Sequence, residues 1–562
     1  HRHRRLRHMV ALMSPDPKRL FTFSFRYPIG KGNVMRLSQL RVQNFRSIRD
    51  SGPIRIEPLQ ALIGENNAGK SNILRALQCF LNSGSGGMEI NDFNDPESTC
   101  IIECEFTDLN KEESKKLRQY LIGEKILLRK ELKITFDEAK NKKYIKSEYH
   151  GYRAEPRDFW LSIRKIEESN KKITWNELVE KYNLPSYFYT EDGKVTKASY
   201  KSGLERYLQE NNVEYDPPKL GQTQALGIPQ NLLSALPELY LLPAITDYSD
   251  EIDRRSSSTV FRRLMSELSD RIMSSDPRHR ELEEAINRVK SLLNSSSEEG
   301  APARLDALNG VENHLRDVIK KIMPTVSSIK LEVQADSPKD IFSRGVSIRL
   351  DDGVLTDVLD KGHGMQRSLV FSLLQMLINT KRQTRDRNII LAIEEPELYI
   401  HPHCQRLIFR VLKEFSGATD DNIENYGGDQ VIYTTHSPAF IEVWNYHRIG
   451  LVRKPDLETG TNITQVDKGV LGDPDERKAF KTLTCFGIKH NEVFFSRHAI
   501  LVEGVEDEIA VIATARELGK IVEMPDEIGI SIVVAGSKGE IPKFQKVLNA
   551  FNIHYSVLLE PV

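Results

Sequence analysis

An α/β architecture in two successive domains, the first of them split by a mainly helical insertion, is what the 562-residue sequence predicts. Three observations lead to it. Apolar runs of strand length, such as Leu59–Ile63 and Ile389–Ile393, stop at a glycine or an acid, and helical periodicity follows the first of them at once. The long stretch 152–324 carries amphipathic helical patterns instead. From residue 499 a strand–turn–helix rhythm returns and repeats to the end of the sequence.

Composition narrows the class. A chain this long divides into roughly three or four domains at ~150 residues each. With 39% hydrophobic and 28% charged residues, it has enough apolar side chains for buried cores. The 79 lysines and arginines nearly balance 80 acids, so there is no global cationic field and any nucleic-acid contact is local. Cys79, Cys100, Cys104, Cys404 and Cys485 lack paired zinc spacing, and a disulfide framework is not expected in so large a chain. A reducing cytoplasm is the expected setting. No run of eighteen apolar residues exists, so no membrane span is expected. Residues 1–34 are rich in arginine with one acid and no sustained amphipathic helix; we read them as a tag or non-native leader preceding a chain that starts at Met35.

The elements follow in order. "MRLSQLRVQNFRSI" begins at Met35 as an alternating strand. "LQALIGENNAGKSNILRALQCFL" then places G-x-x-x-x-G-K-S between an apolar strand and a helix whose Ile73, Leu74, Leu77 and Phe80 recur at helical spacing. Gly64 and Gly69 allow the backbone to wrap phosphates, and the helix start adds a favourable dipole. The phosphate-binding candidates are Gly64, Asn66, Asn67, Gly69, Lys70, Ser71 and Asn72, with Lys70 neutralising phosphate charge and Ser71 holding Mg²⁺. This head lobe spans 35–151, the insertion 152–324 and a second lobe 325–480.

Within the insertion, "TVFRRLMSELSDRIM", "HRELEEAINRVKSLLNSSS" and "LDALNGVENHLRDVIKKIM" read as helices. A lid with solvated charge faces and an oligomerisation module both fit them. The head re-enters near Leu239–Pro243, which begins as a strand. "DKGHGMQRSLVFSLLQML" sets Gly362, Gly364 and Gln366 before an apolar helix and so presents a helix start to an anion, at a point too crowded to share phosphates with Lys70. "RNIILAIEEPELYIHP" ends a buried strand in Glu394, placed to ligate Mg²⁺, and Glu395, placed to activate water, with Pro396 fixing the turn. "VIYTTHSPAFI" ends a further strand at His436, whose imidazole is placed to touch the γ-phosphate or orient water.

The order "GENNAGKS", "KGHGMQRS", "LAIEEPELYIHP", "TTHSPAF" resembles the Walker A, signature-like, Walker B and switch-histidine segments of ABC-type ATPases that include SMC and related repair proteins. With "LVEG" downstream, it resembles more narrowly the OLD (overcoming lysogenization defect) family, an ABC-type ATPase carrying a C-terminal Toprim nuclease domain. The resemblance implies an ABC-type P-loop ATPase head with a helical insertion, then a Toprim α/β domain at 490–562. It also implies ATP and Mg²⁺ as cofactors, with Mn²⁺ an alternative at the Toprim site, and DNA as substrate. ATP sandwiched between heads implies a homodimer or higher assembly, and Arg254, Arg255, Arg262 and Arg263 offer either a DNA path or a solvated face. Anti-phage defence, with a companion protein or nucleic acid, belongs to the same implication.

In the C-terminal unit, "AILVEGVEDE" ends a strand in acids. Crowded carboxylates repel unless a cation lies between them. By the resemblance, Glu503 and Asp507 are metal ligands, Glu503 is catalytic, and Glu560 is the first acid of an acid-x-acid pair whose second position is Val562. The expectation is a Toprim domain truncated or degenerate at that point, with full nuclease activity in the complete protein. Two other classes compete: a repair or scaffold ATPase whose Toprim unit is structural, and a nucleotide-regulated subunit of a defence complex.

Overall fold

The computed structural model describes residues 35–244, 278–294, 305–320, 331, 348–381, 388–418 and 429–559, apart from 118–119, 138–140, 154–155, 170–172, 191, 212, 215, 217–218, 221–232, 234, 457 and 486. Residues 1–34, "TVFRRLMSELSDRIM", the four insertion arginines and Glu560 lie outside the described residues.

β1 (Arg36–Phe45) pairs antiparallel with β2 (Ile48–Asp50) and β3 (Ile54–Arg55). β4 (Leu59–Gly64) leaves this sheet; all six of its residues are buried, as in a strand covered on both faces. The chain then returns through β5 (Cys100–Thr107), β6 (Leu121–Ile122), β7 (Lys125–Asp137), β8 (Lys142–Arg153) and β9 (Lys219–Leu220), in the order β2-β1-β5-β7-β8-β9, with β3 on β1 and β6 on β7. β5 alternates buried and half-buried residues, so one face of this sheet enters the core.

The second sheet has the order β10-β13-β14-β4-β15-β16: β10 (Glu238–Leu242), β13 (Ile389–Glu394), β14 (Gln430–Thr435), β15 (Ile449–Arg453) and β16 (Asn462–Gln465). The intervening β11 (Arg349–Asp351) and β12 (Leu355–Asp357) form a separate hairpin. Only β16 runs antiparallel to its neighbour. β10 is the re-entry expected near Leu239, so a strand of the head sits inside the stretch first read as insertion. Before it, residues 159–213 fold helically around a core of their own containing Trp160, Leu178, Phe188 and Tyr200. After it come the amphipathic helices His279–Leu293 and Asp306–Lys320, as the periodicity predicts.

The helix Lys70–Leu81 lies between the two sheets: Leu74, Leu77 and Phe80 share one core with Ile102 and Phe106 of β5 and with Ile390, Ile432 and Val452 of the parallel sheet. Cys100 and Cys104 are ordinary members of that core. Helices His363–Lys381 and Pro402–Ser416 cover the other face through Val370, Leu374, Phe409 and Leu412. A third sheet, all parallel, has the order β18-β17-β19: β17 (His498–Val502), β18 (Ile530–Val534) and β19 (Tyr555–Val557). Its core, with Leu501, Val533 and Phe544, is continuous with that of the parallel sheet. Among the described residues no helix is long and apolar enough to cross a membrane.

Candidate functional site

Strand register brings the chemistry together. Glu394 lies opposite Thr434, and Thr434 opposite Leu62, so the carboxyl ends of β13, β14 and β4 open on one edge of the sheet. Such edges are where open parallel sheets bind ligands.

The loop after β4 is built around two glycines that no other residue replaces. A Cβ on Gly64 (φ 146°) would lie 2.0 Å from the Val452 carbonyl oxygen, and one on Gly69 (φ 104°) 2.3 Å from Thr461 Oγ1. The helix from Lys70 starts without a side-chain cap and without an acid in its first turn. Its first N–H groups and dipole are thus left for an anion, which is the donor set a triphosphate requires. Asn66 and Asn67 are exposed, Asn67 with φ 60°. Asn72 turns to the β1–β2 loop, where its Nδ2 donates to Ser47 Oγ at 2.8 Å.

Lys70 is buried and donates to the carbonyls of Gly64 (3.0 Å) and Glu65 (2.9 Å). Burial pulls its pKa down to about 8, against the opposing pull of the Glu395 and Glu397 carboxylates. A polyanion favours the charged lysine, so above the ligand-free pKa the protein takes up a proton to bind. ATP affinity is therefore expected to be about tenfold weaker at pH 9 than at pH 7. Calorimetric titration across that range checks it, with Lys70→Arg flattening the profile; a pH-independent Kd in the unsubstituted protein contradicts it.

Glu394 is buried, and its partners are internal: Oε2 accepts from Ala244 N–H at 3.1 Å, and Oε1 lies 3.4 Å from Arg75 Nε on the P-loop helix, one turn beyond Ser71. Glu395 adopts φ 46°, a left-handed conformation costing a non-glycine residue of order 1–3 kcal/mol. The surroundings enforce it. Glu395 N–H donates to Thr434 O (3.0 Å) and Thr434 Oγ1 (3.1 Å), and Arg367 Nη2 donates to the carbonyls of both Glu394 and Glu395. His436 Nε2 sits 3.9 Å from Glu395 Oε1. Burial first, and then the Lys70 charge, hold the imidazole below its ordinary pKa, against the opposing pull of Glu395.

Two residues that sequence reasoning missed complete the edge. Arg367 staples the carboxylate turn as described. Glu397 accepts from His436 N–H at 2.6 Å and from Thr435 Oγ1 at 2.9 Å, and burial raises its pKa. Its signal was present as the third carboxylate of "EEPE", just beyond Pro396. Gly364 and Gln366 lie inside their helix and not before it. The helix begins at His363, a Cβ on Gly364 would lie 2.5 Å from the Tyr399 carbonyl oxygen, and Gln366 is buried with Nε2 donating to Lys361 O at 2.9 Å. Gly364 thus lets the helix approach the turn that follows the carboxylates, and Gln366 ties the helix to the residue two before its start.

In the third sheet, half-buried Glu503 follows β17, and its carbonyl accepts from Gly536 N–H at 3.0 Å. Asp507 Oδ2 accepts from Gly504 N–H at 2.9 Å, capping the helix Val505–Glu517, while Glu508 accepts from Lys489. Among the described residues no group of three or more His, Cys, Asp or Glu side chains is placed to hold a metal ion. Of the expected trio, Glu503 and Asp507 are present, the latter partly engaged as a cap, and Glu560 lies outside the described residues.

Comparison with known proteins decides the class. Residues 35–441 match the family model described as AAA ATPase domain, well over half of the chain. The chain belongs to the AAA ATPase domain family. Residues 494–559 match the TOPRIM domain of overcoming lysogenization defect-like proteins, so the order is an ATPase head followed by an OLD-like TOPRIM domain, as the OLD resemblance implied. The chain is similar to the Old nuclease of Escherichia phage P2, 22% identical over 543 residues, covering 94% of this chain and 77% of that protein. It is 33% identical over 199 residues to the OLD nuclease of Thermus scotoductus, covering 35% of this chain and 34% of that one. With Endonuclease GajA of Bacillus cereus it shares 22% identity over 527 residues, 87% of this chain and 69% of the relative. The two domains imply use of a nucleotide and of a divalent metal.

Proposed function

We propose that this ATPase–TOPRIM protein is an ATP-dependent DNA endonuclease of OLD type, in which ATP binding and hydrolysis by the head gate metal-dependent phosphodiester cleavage by the TOPRIM domain. The observation that carries the reading is the convergence of Lys70, Glu394, Glu395 and His436 on one edge of a parallel sheet whose core runs on into a second parallel sheet ending at Glu503. In the head, Lys70 exchanges the Gly64 and Glu65 carbonyls for phosphate oxygens, and the uncapped helix start donates its N–H groups beside it. Ser71 and Glu394 are the residues that would hold Mg²⁺, which when bound supplies neutralising charge at the phosphates. Glu395, fixed by Thr434 and Arg367, is placed to take a proton from water, with the imidazole of His436 beside it.

At the TOPRIM domain, Glu503 and Asp507 are the proposed ligands, Mg²⁺ or Mn²⁺ the proposed ion. The likeness to GajA and the Old nucleases supports an anti-phage role and DNA as substrate; a cytoplasmic setting, a homodimer or higher assembly, and a companion protein or nucleic acid as trigger are proposed with it. The test is relaxation of supercoiled plasmid with Mg²⁺, with Mn²⁺ and with chelator. Metal-dependent nicking is expected. Intact plasmid under all three conditions beside steady ATP turnover would favour the second reading, a repair or scaffold ATPase whose TOPRIM unit is structural, which the capping role of Asp507 suits.

A further inference from the structure

The short helix Lys489–Glu492 lies between the head and β17, and three successive residues in it reach in two directions. Asn491 faces the head and is buried. Its Nδ2 donates to Pro438 O at 2.9 Å and to Ile441 O at 2.7 Å, while its Oδ1 accepts from Val443 N–H at 2.9 Å. Those three groups belong to the loop that begins two residues after His436. His490 faces the TOPRIM domain: Nε2 lies 3.1 Å from the Val534 carbonyl oxygen, and the ring stacks on Phe544 with centroids 5.6 Å apart. Val534 ends β18 directly opposite Val502, and Gly536 donates to the Glu503 carbonyl. Lys489 donates to Glu508, on the helix that follows Glu503, at 2.9 Å.

We propose that Lys489–Asn491 form the joint through which the His436 loop moves the strand end carrying Glu503, with Asn491 as its positioning residue. The proposal rests on the reading that nucleotide gates the TOPRIM domain, and names the residues that do it. A side-chain amide has two donor hydrogens and an acceptor oxygen, and both kinds of group here are spent on one loop. Buried bonds of this kind are costly to leave unmade, so the loop and residue 491 shift together. Residues 490 and 489 follow as chain neighbours, and their own bonds deliver the shift to β18 and to the helix after Glu503. The aromatic pair across the same boundary, Phe480–Phe544 at 5.0 Å, is non-directional packing that tolerates sliding. Arg453 donates across it as well, to the Phe551 and Asn552 carbonyls, but from the far end of β15, farther along the chain from His436 than the three groups that Asn491 holds.

The test is hydrogen–deuterium exchange at residues 501–508 with and without a non-hydrolysable ATP analogue, read alongside ATP turnover and plasmid cleavage. It compares the unsubstituted protein with Asn491→Asp, which loses both donors, and His490→Phe, which keeps the stack and loses the Val534 contact. The nucleotide is expected to change exchange at 501–508 in the unsubstituted protein. Both variants are expected to bind ATP and lose that change, and the ratio of cleavage rates with and without nucleotide is expected to fall to about one. His490→Phe is expected to turn over ATP unchanged and decides the matter if Asn491→Asp does not fold. Variants that keep the full exchange response overturn the joint while leaving nucleotide gating intact. An unsubstituted protein whose 501–508 segment ignores nucleotide overturns both.

Discussion

Lys70→Ala is expected to weaken ATP binding by 2–5 kcal/mol, roughly 30- to 4000-fold in Kd, beyond the range of ordinary titration. The reason is the environment of the ammonium. It is buried, it is held by two loop carbonyls, and carboxylates of Glu395 and Glu397 lie close enough to act on it. Without the lysine, a triphosphate entering this edge meets Glu394, Glu395 and Glu397 with one cation fewer to offset them. Equilibrium binding of a fluorescent ATP analogue measures the effect, and wild-type affinity in the variant would remove the phosphate-binding assignment. A neutral result cannot come from unfolding, because unfolding also abolishes binding.

Glu503→Ala carries the second large effect. Metal-dependent cleavage is expected to fall by roughly two to four orders of magnitude, since a metal ion at a phosphodiester supplies several kcal/mol of transition-state stabilisation. ATP turnover is expected to stay at the unsubstituted rate, because Glu503 lies past the end of a different sheet from Lys70 and Glu395. Its half-buried side chain sits at a strand end, so the alanine variant is expected to fold. Gel assays of plasmid relaxation and a coupled ATPase assay, run on one preparation, separate the two activities; retained cutting would refute the metal role.

Much of the head was legible because its signals are local. β4 and β13 read as buried strands from unbroken apolar runs, and the phosphate loop reads from glycines whose spacing the backbone requires. What stayed hidden depends on contacts far apart in the chain. β10 was read only as a strand-like start, because five residues inside a long helical stretch acquire their place from β13, some 150 residues on. The close approach of Gly364 to Tyr399 has no local signal either, because the covering turn comes later in the sequence. Asp507 was expected as a metal ligand by resemblance, and the structure adds a bond from the Gly504 N–H that caps its helix. Glu397 and Asn491 owe their roles to backbone groups of the His436 loop, and a side chain's choice of backbone partner leaves no periodicity to read.

The claim on which the account turns is that nucleotide held at Lys70 governs the TOPRIM domain. The direct measurement is the rate of plasmid relaxation by the unsubstituted protein and by Lys70→Ala, each with Mg²⁺ and saturating ATP. The account predicts clearly different rates, with Lys70→Ala matching the unsubstituted protein deprived of ATP. Equal rates in the two proteins, both unaffected by ATP, would contradict it.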